Sequence, residues 1–142
     1  MELKHGDVTE KIIAAFMKVY RFFGYGFSEK VYENAIVFEL RRAGLKVVQQ
    51  VAIDVFYEVE HVGVYIADLI VEDKVLVELK AVKTILDQHE AQLLNYLKAT
   101  RYEVGLLLNF GEKSEFKRKV LDNPLKGNHA WLRTTAEVKN SV

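Results

Sequence analysis

Residues 62–81 read VGVYIADLIVEDKVLVELKA and decide how this chain folds. Valine, isoleucine and leucine dominate both halves of the stretch, and a charged segment at 72–74 separates them. Runs of β-branched and apolar residues on either side of a short polar turn are typical of two antiparallel strands. We therefore predict one strand over 62–71 and a second over 75–81.

A turn centred on Asp73 sets the register of these strands and pairs two acidic residues. Asp68 and Glu78 are equally distant from Asp73, so they lie opposite each other, and Lys80 shares the face of Glu78. The alternative for Glu78 and Lys80 alone is a strand face exposed to solvent. Asp68 favours a site, because it interrupts an apolar strand where an unpaired charge is costly. Adjacent carboxylates in a chain without cysteine favour a hard divalent cation, Mg²⁺ or Mn²⁺.

The flanking segments predict an α/β domain. The other predicted elements are helices over 9–23 and 28–43, a strand over 46–57, a helix over 84–101, a strand over 104–110 and a short basic helix over 114–121. The strand over 104–110 is almost wholly apolar, which indicates burial on both faces and therefore a mixed sheet with helices on both sides. In the second helix, Val31, Ala35 and Phe38 share one apolar side, and Tyr32 is expected to pack between helix and sheet.

Composition limits the function further. The chain has 142 residues, with 20 basic and 20 acidic side chains and no cysteine, which excludes disulfide scaffolds, thiolate zinc sites and cysteine nucleophiles. We expect one domain over residues 1–125 and a C-terminal tail over 126–142. No apolar stretch is long enough for a membrane span or a secretory signal, so a cytoplasmic protein without membrane contact is expected.

Three motifs carry a resemblance to known nucleases. Asp68 followed by Glu78-Leu79-Lys80 resembles the core motif of the PD-(D/E)XK superfamily, although Ala67 stands where that motif has proline. Residues 26–32, GFSEKVY, resemble the signature of the GxxExxY family, a branch of that superfamily. Residues 92–96, QLLNY, resemble the Gln-x-x-x-Tyr element of RecB-type exonucleases. The similarity covers most of the chain.

The resemblance implies a restriction-endonuclease-like αβββαβ core preceded by an extra helix, and roles for six residues. The implied roles are a first-helix acid and metal ligand for Glu29, metal ligands for Asp68 and Glu78, a water-positioning or water-activating lysine for Lys80, and substrate-phosphate contacts for Gln92 and Tyr96. Glu33 lies one turn after Glu29 on the same helical face and is the alternative for the first acidic role.

The expected function is metal-dependent hydrolysis of phosphodiester bonds in nucleic acid, with DNA expected rather than RNA. The neutral net charge gives no global attraction for a polyanion, and segment 54–78 holds seven acidic residues and one basic residue. We therefore expect a homodimer or a partner protein to help capture the substrate. The alternatives are a non-catalytic nucleic-acid or protein-binding module on the same fold, and a structural domain whose charged strand face binds nothing.

Overall fold

Three helices and one five-stranded sheet make up residues 3–127, the part of the chain that the computed structural model describes. In chain order the elements are α1 (Gly6–Phe23), α2 (Glu29–Arg42), β1 (Val47–Tyr57), β2 (Glu60–Val71), β3 (Val75–Lys80), α3 (Asp87–Lys98), β4 (Val104–Phe110), β5 (Ser114–Val120) and a 3₁₀ turn (Asn123–Leu125). The predicted α/β class is confirmed.

The strands lie side by side in the order of the chain, from β1 to β5. β3 and β4 run parallel, with α3 as the connection between them, and the other neighbours pair antiparallel. The sheet is therefore mixed, as predicted. Every residue of β4 is buried, which agrees with the apolar run that predicted it.

Helices cover both faces of the sheet, as the buried strand required. α1 and α2 pack on one face around Phe16, Ile36 and Leu106, whereas α3 packs on the other around Leu93. Gly105 of β4 allows the close approach of α3, because a Cβ there would lie 2.8 Å from Cδ1 of Leu93. The two cores hold the sheet between them, and the charged positions of β2 and β3 lie at its centre.

The basic segment predicted as a short helix over 114–121 is instead the edge strand β5, so that prediction was wrong. All seven residues of Ser114–Val120 pair with β4. Phe116 and Arg118 contact the α1 side, and Lys119 forms an ion pair with Glu90 of α3. Pairing with a fully buried neighbour strand outweighs the weak helical signal of this charged segment.

The apolar side shared by Val31 and Phe38 is not the most deeply buried side of α2, because these two residues are 37% and 61% exposed. Tyr32 packs between helix and sheet, as predicted, and lies in the core with Ile36. The ring of Tyr32 stacks on Phe110 with centroids 4.1 Å apart. Because α2 carries apolar residues on more than one side, its helical periodicity did not decide which side would be buried.

The end of the described chain is tied to the domain. Nζ of Lys126 donates hydrogen bonds to the carbonyl oxygens of Thr100 and Tyr102, at 2.9 and 2.7 Å. Of the expected tail over 126–142, residues 128–142 lie outside the described residues. Among the helices within 3–127, none is long and apolar enough to cross a membrane.

Candidate active site

β2 and β3 separate at the position of the predicted acidic pair. They pair at only three positions, Leu69 with Val77, Ile70 with Leu76 and Val71 with Val75, which is the register that a turn centred on Asp73 predicts. Beyond these pairs β2 continues along β1, whereas β3 continues along β4. Asp68 and Glu78 are the next residues on the two strands, and we call this position the β2–β3 fork.

At the fork, side chains replace the hydrogen bonds of the ladder. The backbone N–H of Asp68 donates to Oε1 of Glu78 at 3.1 Å. The backbone N–H of Leu79 donates to Oδ2 of Asp68 at 2.7 Å. Each carboxylate therefore binds the backbone of the opposite strand, and the two acids lie together as the strand register predicted.

The electrostatics of this pair are unfavourable without a cation. Glu78 is only 6% exposed. Burial and the neighbouring charge of Asp68 raise its pKa to about 8. Burial also raises the pKa of Asp68, and the negative charge of Glu33 raises it further. Within residues 3–127 neither acid forms an ion pair, so the attraction of nearby Lys80 is not reinforced by direct contact with a cationic group.

Lys80 lies beside the pair without binding to it. It follows Glu78 by two residues on β3, is half-buried, and attracts both Asp68 and Glu78 electrostatically. No hydrogen bond or ion pair joins its ammonium group to any residue in 3–127. Because the N–H donors of this ammonium group have no partner among these residues, it can bind an anionic oxygen that comes close to the two carboxylates.

On α2 the structure brings Glu33 to the fork and leaves Glu29 outside it. The side chain of Glu29 is exposed and forms no hydrogen bond or ion pair with the described part of the chain. Glu33 is 4% exposed and accepts a hydrogen bond at 2.7 Å from Nε2 of Gln50, which also donates to Asp68 at 3.3 Å. Glu33 lies one helical turn after Glu29, and at that position the side chain faces the sheet.

α3 supplies a tyrosine from the other side of the fork. Tyr96 is 5% exposed, and burial, followed by the charge of Glu78, raises the pKa of its hydroxyl to about 12. Nε2 of Gln92 donates to this hydroxyl at 3.2 Å. The structure thus brings Tyr96 near the acids, with Gln92 one step further out. His89 is occupied elsewhere, because its Nδ1 accepts from the N–H of Leu86 at the start of the helix.

The sequence did not single out three residues around the fork. Gln49 and Gln50 contact Glu33, and the ring of Tyr65 lies 4.8 Å from that of Tyr96. Neutral amides in a strand carry no charge signal, and Tyr65 belongs to an ordinary alternating strand pattern. The only sequence signal for the amides is the interruption of apolar residues by two consecutive glutamines in 49–50.

The donor atoms at the fork fit a hard divalent cation. No group of three His, Asp or Glu side chains within 3–127 forms a ready-made metal site. Asp68 and Glu78 nevertheless supply two adjacent carboxylates, and Mg²⁺ is commonly held by one or two carboxylates with water at its other positions. Burial disfavours the ionised form of Glu78, and a bound cation would stabilise that form.

A comparison with protein families agrees with this geometry. The family model described as the PD-(D/E)XK nuclease superfamily matches residues 6–119, which include all the residues at the fork. No curated protein and no solved structure matches the chain. Because the model covers most of the sequence, the chain belongs to the PD-(D/E)XK nuclease superfamily.

Proposed function

We propose that this protein is a metal-dependent nuclease that hydrolyses phosphodiester bonds at the β2–β3 fork. One observation carries the proposal: Asp68 and Glu78 lie together, largely buried and without a cationic partner in the described chain, beside the unpaired ammonium of Lys80. A structural acid pair would be expected to have a matching cation, whereas a metal site leaves that place to an external ion. Superfamily membership independently favours nuclease chemistry.

The reaction adds water to phosphorus and breaks one phosphorus–oxygen bond, so charge builds up on the phosphate and on the leaving oxygen. Bound Mg²⁺ or Mn²⁺ would supply positive charge and make water more acidic. Asp68 and Glu78 would hold that ion, and Glu33 is the first-helix acid that the contacts favour over Glu29. Lys80 would orient the attacking water or stabilise the developing negative charge.

α3 would contribute to substrate binding rather than to bond breaking. The hydroxyl of Tyr96 stays protonated at neutral pH because burial raises its pKa to about 12, so it can donate a hydrogen bond to a phosphate oxygen. Gln92 contacts that hydroxyl and would hold it in place. From the GFSEKVY segment at residues 26–32, we further propose that the protein belongs to the GxxExxY branch of the superfamily.

Substrate capture is the part of this function that the chain supports least. Segment 54–78 is acidic, and two basic side chains of β5 are engaged elsewhere, Lys119 with Glu90 of α3 and Arg118 with the carbonyl oxygen of Lys4. We propose that a second copy or a partner protein supplies the missing positive surface and that DNA is the substrate. Light scattering of the purified protein tests for a dimer.

A cleavage assay tests the function directly. The parent protein with Mn²⁺ is expected to cleave at least one of single-stranded, duplex or branched DNA, or the matching RNA. Lys80→Ala should lose most turnover, on the order of 100-fold, because it removes charge stabilisation next to the reacting phosphate. Lys83→Ala is the matched control, since Lys83 is an exposed lysine three residues further along the chain.

Two results would contradict the proposal. Equal turnover for Lys80→Ala and Lys83→Ala would remove Lys80 from the reaction. Absence of cleavage on every substrate, combined with tight binding to one of them, would favour the non-catalytic binding module instead.

A further inference from the structure

Gln50 has a strained backbone at a break in the sheet. Its φ is 53°, in the left-handed region that residues other than glycine seldom adopt. The β1–β2 ladder pairs Gln49 with Leu69 and Val51 with Ala67 but leaves out Gln50 and Asp68 between them. Such backbone strain persists only where surrounding structure holds it in place, and it concentrates at functional sites.

The side chain of Gln50 bridges two acids from different elements. Its Nε2 donates to Oε1 of Glu33 on α2 at 2.7 Å and to Oδ1 of Asp68 on β2 at 3.3 Å. A single amide nitrogen therefore lies between two carboxylates that repel each other. Both hydrogens of that amide are used, so its orientation fixes the relative orientation of the two carboxylates.

Gln49 contacts the same helix but not the fork. Its Nε2 donates to Oε2 of Glu33 at 2.7 Å and to Oδ1 of Asn34 at 3.1 Å. Lys30 also donates to Oε2 of Glu33, at 3.0 Å. Glu33 thus keeps two partners when Gln50 is removed, whereas Asp68 loses its only side-chain donor in the described chain and keeps only the backbone N–H of Leu79. The neighbouring glutamines therefore form a natural pair for comparison.

We propose that Gln50 is a positioning residue that holds Glu33 and Asp68 in the orientation from which they bind a divalent cation, an inference that rests on the proposed function. A carboxylate oxygen that accepts one hydrogen bond retains a lone pair for a cation, so the bridge and the ion are compatible. Groups that orient metal-binding carboxylates in this way typically change metal affinity 10- to 100-fold when they are removed. The left-handed backbone of Gln50 places its side-chain amide within hydrogen-bonding distance of both acids, which accounts for the strain.

Gln50→Gly tests this role without adding strain, because glycine adopts a φ of 53° readily. Calorimetric titration of the metal-free protein with Mn²⁺ alone, without nucleic acid, measures the affinity. We expect Gln50→Gly to bind Mn²⁺ roughly 10- to 100-fold more weakly than the parent. Urea unfolding should show that the variant remains folded. Gln50→Asn also tolerates this backbone, but its shorter side chain cannot bridge both acids, so a similar loss is expected.

Gln49→Ala is the matched control and should lose clearly less affinity, because the contact with Asp68 remains. Equal affinities for the parent and Gln50→Gly would overturn the positioning role alone and leave the proposed nuclease function standing. Equal losses in Gln50→Gly and Gln49→Ala would show that support of Glu33, rather than the bridge, matters, and would also overturn it. A parent protein that binds no Mn²⁺ would overturn this role together with the proposed metal site.

Discussion

The two ends of the β2–β3 pair treat their acidic residues in opposite ways. At the turn, both carboxylate oxygens of Asp73 accept hydrogen bonds of 2.7 Å from Arg101, and Tyr102 donates a third at 2.8 Å. These bonds lower the pKa of Asp73. At the fork, burial raises the pKa of both Asp68 and Glu78, the charge of Glu33 adds to the shift of Asp68, and the charge of Asp68 adds to that of Glu78. No cationic side chain of the described chain forms an ion pair with them.

This difference separates an acid that stabilises the fold from acids that cost stability. Asp73 lies at the surface, where a paired carboxylate is stable and contributes little. Glu78 lies in the interior, where an ionised carboxylate without a cation opposes folding. A destabilising arrangement in the middle of an otherwise well-packed sheet is typical of a site kept for function.

Glu78→Gln should produce the largest change in this comparison. The amide keeps an oxygen that can accept from the N–H of Asp68, but unlike the carboxyl it does not have to take up a proton when the metal-free protein folds at pH 7. We expect the metal-free protein at pH 7 to become more stable, by on the order of 2 kcal/mol, because the pKa of Glu78 is raised well above its ordinary value. The variant should also lose most of the stabilisation that Mn²⁺ gives the parent.

Urea denaturation with and without Mn²⁺ measures both effects, with the parent as the reference. A less stable metal-free variant would mean that Glu78 is part of a favourable structural contact, and the comparison between fork and turn would fail. An unchanged response to Mn²⁺ would place the metal elsewhere.

The pH dependence of stability should follow the fork rather than the turn. The pKa of Glu78 is about 8 in the folded protein, whereas the ordinary value for a glutamate side chain is 4.5. Between these values the folded state binds more protons than the unfolded state, so the contribution of protonated Glu78 is full below pH 4.5 and is lost as pH rises through 8. The metal-free parent should therefore become less stable across this range.

Asp73 gives the opposite sign in a lower range. Its pKa is below the ordinary aspartate value of 3.8, so its contribution to stability is present above that pH and is lost as the solution is acidified through the folded pKa. Urea midpoints measured from pH 5 to pH 9 separate the two, because Asp73 stays ionised throughout. Glu78→Gln should flatten the profile, and a parent whose stability stayed constant across this range would contradict the raised pKa of Glu78.

Much of this fold could be predicted because local patterns and tertiary packing agree. The alternating and apolar runs of β2, β3 and β4 are strong signals, and the register followed from the position of Asp73 in the turn. β5 could not be predicted in the same way, because it is a strand only through its pairing with β4. The packing of Tyr32 against the sheet could be predicted, but its stacking partner Phe110 could not, because the two residues are distant in sequence.

The same distinction between local pattern and tertiary packing applies to the residues of the site. Asp68, Glu78 and Lys80 lie on two consecutive strands, so strand geometry alone brings them together. Glu29 and Glu33 lie on one helical face, and only the docking of α2 on the sheet distinguishes the exposed residue from the buried one. The bridge made by Gln50 depends on a local break in the β1–β2 ladder, for which the sequence carries no clear signal.

Arg101→Ala should have the smallest effect and tests the other side of the comparison. The side chains of Arg101 and Asp73 are 54% and 66% exposed, so solvent screens their attraction. Exposed ion pairs contribute about 0.2 to 1 kcal/mol, and Tyr102 still donates to Asp73 after Arg101 is removed. We therefore expect a loss of stability of less than about 1 kcal/mol and an unchanged response to Mn²⁺. The same urea titrations measure it beside Glu78→Gln. A large loss of stability would show that the turn anchors the β2–β3 pair, and an altered metal response would show that the two ends of the pair are coupled.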